Sequence, residues 1–146
     1  IKFKNGKIEI KNNNSAFGKF VVDMNKIDCF DLSGGAKSKL ISHLESDDFF
    51  SVDNYNEAIL EIDSLEHIKE DKFLLYGDLI IKDIKNPVAM KGQIFKAENG
   101  YKASIKLSFD RAKFNVKYKS KSFFSDLGDN IIDDNVILNA NVQLFK

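Results

Sequence analysis

Apolar and polar positions alternate along most of this chain, and that period predicts strands. Ala58, Leu60 and Ile62 alternate with Glu57, Glu61 and Asp63. Phe73, Leu75, Leu79 and Ile81 share one parity, with Gly77 between them. A connection from Ile84 to Asn86 is closed by Pro87, after which Val88, Met90 and Ile94 continue on a new strand. Glu98-Asn99-Gly100 reads as a tight turn. Tyr101, Ala103, Ile105, Leu107 and Phe109 then alternate with Lys102, Ser104, Lys106, Ser108 and Asp110. The final strand is the clearest: Val136, Leu138, Ala140, Val142 and Leu144 share one face. Near the start, Ile1 to Lys4 and Lys7 to Ile10 flank Asn5-Gly6, a dipeptide that predicts a hairpin. Phe20, Val22 and Met24 share a parity that Ile27 breaks, which predicts a bulge near Asn25 or Lys26.

One stretch departs from this period. From Ala36 onward, Leu40, Ile41 and Leu44 recur at helical spacing, and Ser33-Gly34-Gly35 supplies a start. The stretch ends in Phe49 and Phe50 behind Asp47 and Asp48. A lone amphipathic helix among strands predicts a lid or plug packed on a sheet or barrel. A second, short helix is read around Phe123 to Leu127.

Counted together, about eight strands with one wet and one dry face predict an antiparallel sheet that curls up or closes. An eight-stranded barrel is wide enough to hold side chains or one small ligand. The fold class is therefore all-β, with one short helix packed against a barrel. The chain has 146 residues, a length that fits one domain.

Composition sharpens this picture at one point. There are 13 Phe, no Trp and 1 Pro, so the chain is rich in rings without hydrogen-bonding handles. Such rings fill a core or line a greasy cavity. The 22 basic and 22 acidic residues cancel, and Arg111 is the lone Arg, which argues against a dedicated nucleic-acid binder. With 1 Cys, Cys29, neither an internal disulfide nor a cysteine metal cluster forms. No signal peptide and no apolar run of transmembrane length is seen, and the strand-like start at Ile1 reads as a processed or trimmed chain.

Candidate chemistry is sparse. His43 flanks the helix stripe and reads as a partly buried structural residue. His67 reads as a solvated residue by a turn. Asp47-Asp48 and Asp133-Asp134 are acid pairs that cap backbone or face water. No catalytic or metal motif is present, so no catalytic residue, metal or cofactor is expected. An enzyme would need His43 and Asp48 to converge in an open cleft.

Three blocks resemble the YceI-like family of lipocalin-like, polyisoprenoid-binding proteins. In the first, His43-Leu44, Ser46, Asp48-Phe49-Phe50, Val52 and Tyr55 are similar to the family run H-L-x-S-x-D-F-F-x-V-x-x-Y. In the second, Gly77-Asp78-Leu79 through Pro87-Val88 is similar to the G-D-L-T-I-x-G-x-x-x-P-V hairpin. In the third, Asp110-Arg111 through Tyr118, Ser120 to Phe124 and the last strand resemble the Bacteroidetes branch. The chain departs in lacking the family's N-terminal strand with its His-Gly pair, in Asp83 for Gly and in Asn56 for Pro.

The resemblance implies a barrel enclosing an apolar channel for a long isoprenoid, such as a polyprenyl phosphate or a quinone tail. It also implies export to the periplasm or beyond. The inward residues then expected to line the channel are Phe49, Phe50, Phe73, Leu75, Leu79, Ile81, Met90, Ile94, Ile105, Leu107 and Phe109. Phe49 and Phe50 are expected to close one mouth. Arg111, Lys117 and Lys119 around Tyr118 form a candidate headgroup cluster. A homodimer is left open. The competing reading is a structural or interaction module with a filled core and no ligand.

Overall fold

The computed structural model describes residues 1–12, 15–124 and 128–145. Among the described residues seven strands follow one another in a single antiparallel meander. They are β1 (Lys2–Asn12), β2 (Ser15–Asp23), β3 (Glu57–Lys69), β4 (Lys72–Ile81), β5 (Ile84–Ala97), β6 (Gly100–Asp110) and β7 (Asn135–Phe145). One helix, α1 (Gly34–Glu45), lies between β2 and β3. Among the described residues β1 and β7 are the edges of the sheet and do not pair. The sheet curls far enough for both edges to line one cavity. The result is a half-barrel, not the closed eight-stranded barrel expected from the alternation.

The strand count drops because Asn5-Gly6 does not turn. β1 shifts register between Phe3 and Asn5 and runs on, with Gly6 opposite Phe20. A Cβ at Gly6 would collide with the Phe20 ring. The glycine serves close approach of a ring to the backbone, a different use from chain reversal. The parity break at Ile27 is also no bulge. β2 ends at Asp23, whose carboxylate accepts from the Asn25 amide at 3.0 Å and caps a single 3-10 turn, Met24–Lys26.

The connection before Pro87 is shorter than expected. Lys82 and Asp83 make a two-residue turn with φ of 53° and 59°, and Ile81 pairs directly with Ile84. Both positive φ values are what a tight hairpin turn of primed type requires. Pro87 therefore sits inside β5, opposite Asp78. β5 meets β6 only from Met90 onward, so the missing amide of Pro87 costs no ladder bond.

These pairings give the sheet two unlike ends. The β3–β4 and β5–β6 hairpins lie at one. At the other lie the long 24–56 and 111–134 connections, which carry α1 and two further 3-10 turns. The helix leans on that end with Leu40, Ile41 and Leu44 half-buried, whereas Ala36 is exposed. Its last turn is tied to the following loop: the Val52 amide donates to Glu45 O at 2.8 Å and the Phe50 amide to Leu44 O at 3.1 Å. Phe123 lies in a turn, and the short helix read from there to Leu127 falls partly outside the described residues.

Candidate functional site

Alternation on seven neighbouring strands sends one set of side chains to the concave face. They do not fill it. Toward the hairpin end a cavity of about 160 Å³ is walled by Ile8, Phe20, Leu65, Phe73, Ile94 and Val142, among others. A second, of about 250 Å³, opens between β1 and β7 and is walled by Phe3, Leu60, Leu79, Met90, Leu107 and Leu138. Phe20, Ile105 and Val142 belong to both walls, so the two cavities adjoin along the concave face. His67 is the one polar side chain in the wall of the first. Close-packed interiors leave few such voids.

Two rings in the wall are held flat by glycine. Phe20 stands opposite Gly6, and Phe73 stands opposite Gly92. A Cβ at either glycine would meet the ring. Without a side chain there, each ring lies across its neighbour strand and stays out of the lumen.

The opposite end is solid. Met24, Val52, Ile81, Phe109 and Phe114 are buried in the core there, and the Phe109 and Phe114 rings meet edge-on at 5.4 Å. Behind them lies Arg111, only 2% exposed. Its Nε donates to Asp133 O at 3.0 Å, Nη1 to Val116 O at 3.1 Å and Nη2 to Ile132 O at 2.9 Å. Asp134 Oδ1 lies 3.0 Å from Nη2 but receives no hydrogen bond among the described residues. The pair is therefore an attraction of charges without a shared proton. Burial pushes the Asp134 carboxyl up. Hydrogen bonds from Ser120 and Ser122 and the Arg111 charge outweigh that, and the group ends below its ordinary value. Arg111 is a rivet that ties 111–116 to 132–134, and its commitment removes it from any surface headgroup cluster.

The other expected site residues divide cleanly. Phe73, Leu75, Ile94 and Ile105 line the first cavity; Leu79, Met90, Ile105 and Leu107 line the second. Ile81 and Phe109 belong to the solid end and line neither. Phe49 is buried beside α1, with its ring 5.1 Å from His43, 5.6 Å from Tyr118 and 6.2 Å from Phe50. Phe49 and Phe50 thus pack the end that is already filled, away from both cavities. His43 is held edge-on by Tyr118 at 4.4 Å, and its buried Nε2 has no partner among the described residues. Among the described residues it makes no hydrogen bond to Asp48.

Lys117, Tyr118 and Lys119 line an open polar cleft of about 420 Å³ with Asp47, Asp48 and Lys82. Lys82 Nζ donates to Phe49 O at 3.2 Å and Asn115 O at 3.3 Å. Burial of this amine lowers its affinity for the proton. Among the described residues no cluster of three metal-ligating side chains forms, and no helix is long and apolar enough to cross a membrane.

Sequence reading missed the contributions of β1, of the far half of β3 and of β7. Leu65 and His67 are absent from the expected wall because β3 shifts register between Ile62 and Ser64. The inward set therefore changes parity halfway along the strand. Val142 and Leu144 carried a clean alternating signal, and Ile8 and Ile10 did so on the far side of a turn that is not there.

Solved structures share this arrangement at low identity. Burkholderia cenocepacia BcnA is 17% identical with a TM-score of 0.76, over 96% of this chain and 82% of that one. A Campylobacter jejuni YceI protein is 18% identical with a TM-score of 0.69, over 99% of this chain and 83% of that one. Among curated proteins no match is found. The model of the YceI-like domain matches residues 1–144, and the chain belongs to the YceI-like family.

Proposed function

We propose that this protein binds a long-chain isoprenoid lipid, a polyprenyl phosphate or a quinone tail, in the hollow of its half-barrel. It acts as a carrier or sequestering protein and not as an enzyme. The observation that supports this most is the largely apolar space walled by Phe73, Leu75, Leu79, Met90, Ile94, Ile105 and Leu107, with His67 in the wall of the first cavity and Lys2, Asn139 and Asn141 in that of the second. A hydrocarbon tail gains roughly 0.8 kcal/mol for each CH₂ taken out of water, and such a wall gives that gain without specific polar contacts. Ligand pockets usually span about 300–1,000 Å³. Neither of the adjoining cavities, of about 160 and 250 Å³, reaches that range alone and the two together do, so an extended tail fits better than a compact one. On this reading the chain works as one domain in the periplasm or outside the cell, as monomer or homodimer.

Thermal unfolding in the presence of prenols of ten, fifteen and twenty carbons tests the reading. A ligand that binds only the folded state raises the melting temperature by mass action. The shift should grow with tail length and then level off when the hollow is full. No shift at saturating twenty-carbon prenol would overturn it.

A further inference from the structure

An apolar hollow fixes neither the direction in which a tail enters nor the kind of head it carries. His67 bears on both. It lies near the end of β3, on the same side as Leu65 two residues earlier, and it is the single polar side chain in the first cavity wall. It is exposed, so it stands at the rim where that cavity meets water. Its Nε2 lies 2.7 Å from Glu70 O. A carbonyl oxygen only accepts, so Nε2 must carry the proton. In the neutral ring this leaves Nδ1 as a bare acceptor. The hydrogen bond that His67 makes among the described residues uses Nε2, and Nδ1 is left for a ligand.

We infer that His67 is the headgroup residue of the hollow, and that it selects an isoprenoid whose head offers a hydroxyl proton. The inference rests on the lipid-binding reading above and adds to it an orientation and a head chemistry. The tail runs inward along Leu65, Phe73 and Ile94, and the head stays at the hairpin end. A free prenol or a reduced hydroquinone donates its O–H to Nδ1. An oxidised quinone, whose oxygens only accept, gains nothing from the neutral ring. The polar cleft of Lys117 and Lys119 at the solid end plays no part in holding this head.

The test uses three probes: geranylgeraniol, its methyl ether and squalene. The ether keeps the tail and loses the proton; squalene has no head. Binding is measured by titration calorimetry at pH 8 on wild type, His67→Leu and His67→Asn. Wild type should bind the alcohol about three- to tenfold more tightly than the ether, the range of one net hydrogen bond. His67→Leu should lose that preference, with the ratio of alcohol to ether affinity falling to about one, and its far-UV circular dichroism and melting curve show whether it folds. His67→Asn, whose amide oxygen can replace Nδ1 as acceptor, should recover part of it. Equal wild-type affinity for alcohol and ether, or a preference that survives in His67→Leu, overturns the inference while leaving the hollow intact. Failure of all three probes to bind overturns the lipid reading and this inference with it.

Discussion

The two ends of the half-barrel are built from the same alternating strands, yet one is solid and the other hollow. At the solid end, Ile81 and Phe109 project from strands just as Phe73 and Ile94 do at the hollow end. The difference lies in the connections. The 24–56 segment supplies Met24, Phe49 and Val52, and the 111–134 segment supplies Phe114 and Val116, all buried. The hairpins at the other end are too short to supply anything. A curled sheet of this width does not fill itself. Long loops seal one end, and the absence of such loops leaves the other free for a guest.

Removing the rivet of the solid end should have the largest effect. Arg111→Ala leaves Asp134 half-buried without its counter-charge and three carbonyls without their donor. It should lower the unfolding free energy by about 3–5 kcal/mol, read by urea denaturation. A loss below 1 kcal/mol, the range of an exposed pair, would mean that Arg111 is a surface residue after all.

Equal truncations at the two ends sharpen the contrast. Phe114→Ala should cost about 3–5 kcal/mol, because the site is packed on all sides. Phe73→Ala already borders empty space and should cost roughly half as much by the same argument. The second variant, unlike the first, should also accept a bulkier guest. Equal costs would show the hollow end to be packed as tightly as the other.

Gly92→Ala acts on the hollow alone. The added methyl forces the Phe73 ring off the β5 backbone and toward the lumen. Affinity for a twenty-carbon prenol should fall roughly tenfold, while the melting temperature without ligand changes little. A large drop in melting temperature with unchanged affinity would place the ring elsewhere.

Acid should loosen the solid end. The Asp134 carboxyl is held below its ordinary value. Its contribution is therefore complete above the unfolded value near 4 and is lost as pH falls through the lower, folded value. Asp134→Asn should be less stable than wild type at pH 7 by on the order of 1 kcal/mol. The gap should close as the pH drops below about 4. A gap that persists at pH 2 would assign the effect to packing. The smallest effect is expected from Lys117→Gln with Lys119→Gln: these amines line the polar cleft and neither cavity of the hollow, and prenol affinity should stay within about twofold. A tenfold loss would move the head of the lipid to that cleft.

The strand framework was legible in the sequence, but the contrast between its two ends was not. The clean alternation of β4, β6 and β7 gave both their extent and their inward faces, and the helical stripe of Leu40, Ile41 and Leu44 located α1. Two kinds of feature were not legible. Register shifts in β1 and β3 reverse parity without any residue that announces them, so Leu65 was not read as part of the wall and His67 read as a solvated residue by a turn. Long-range packing was equally hidden. Asn5-Gly6 carries the signature of a turn, but the ring of Phe20 across the ladder takes up its empty space. Nothing local shows that Arg111 folds back onto Val116 and Ile132, whereas a cluster of cations close in sequence suggests one surface.

The most direct test of a solid end and a hollow end exploits a chain with 0 Trp. Leu144→Trp places a single indole on the wall of the first cavity, and Phe124→Trp places one in the polar cleft at the other end. On titration with geranylgeraniol, emission from Trp at position 144 should move to the blue and saturate, while emission from position 124 stays constant. A saturating shift at position 124 with none at 144 would contradict a lipid held in the hollow.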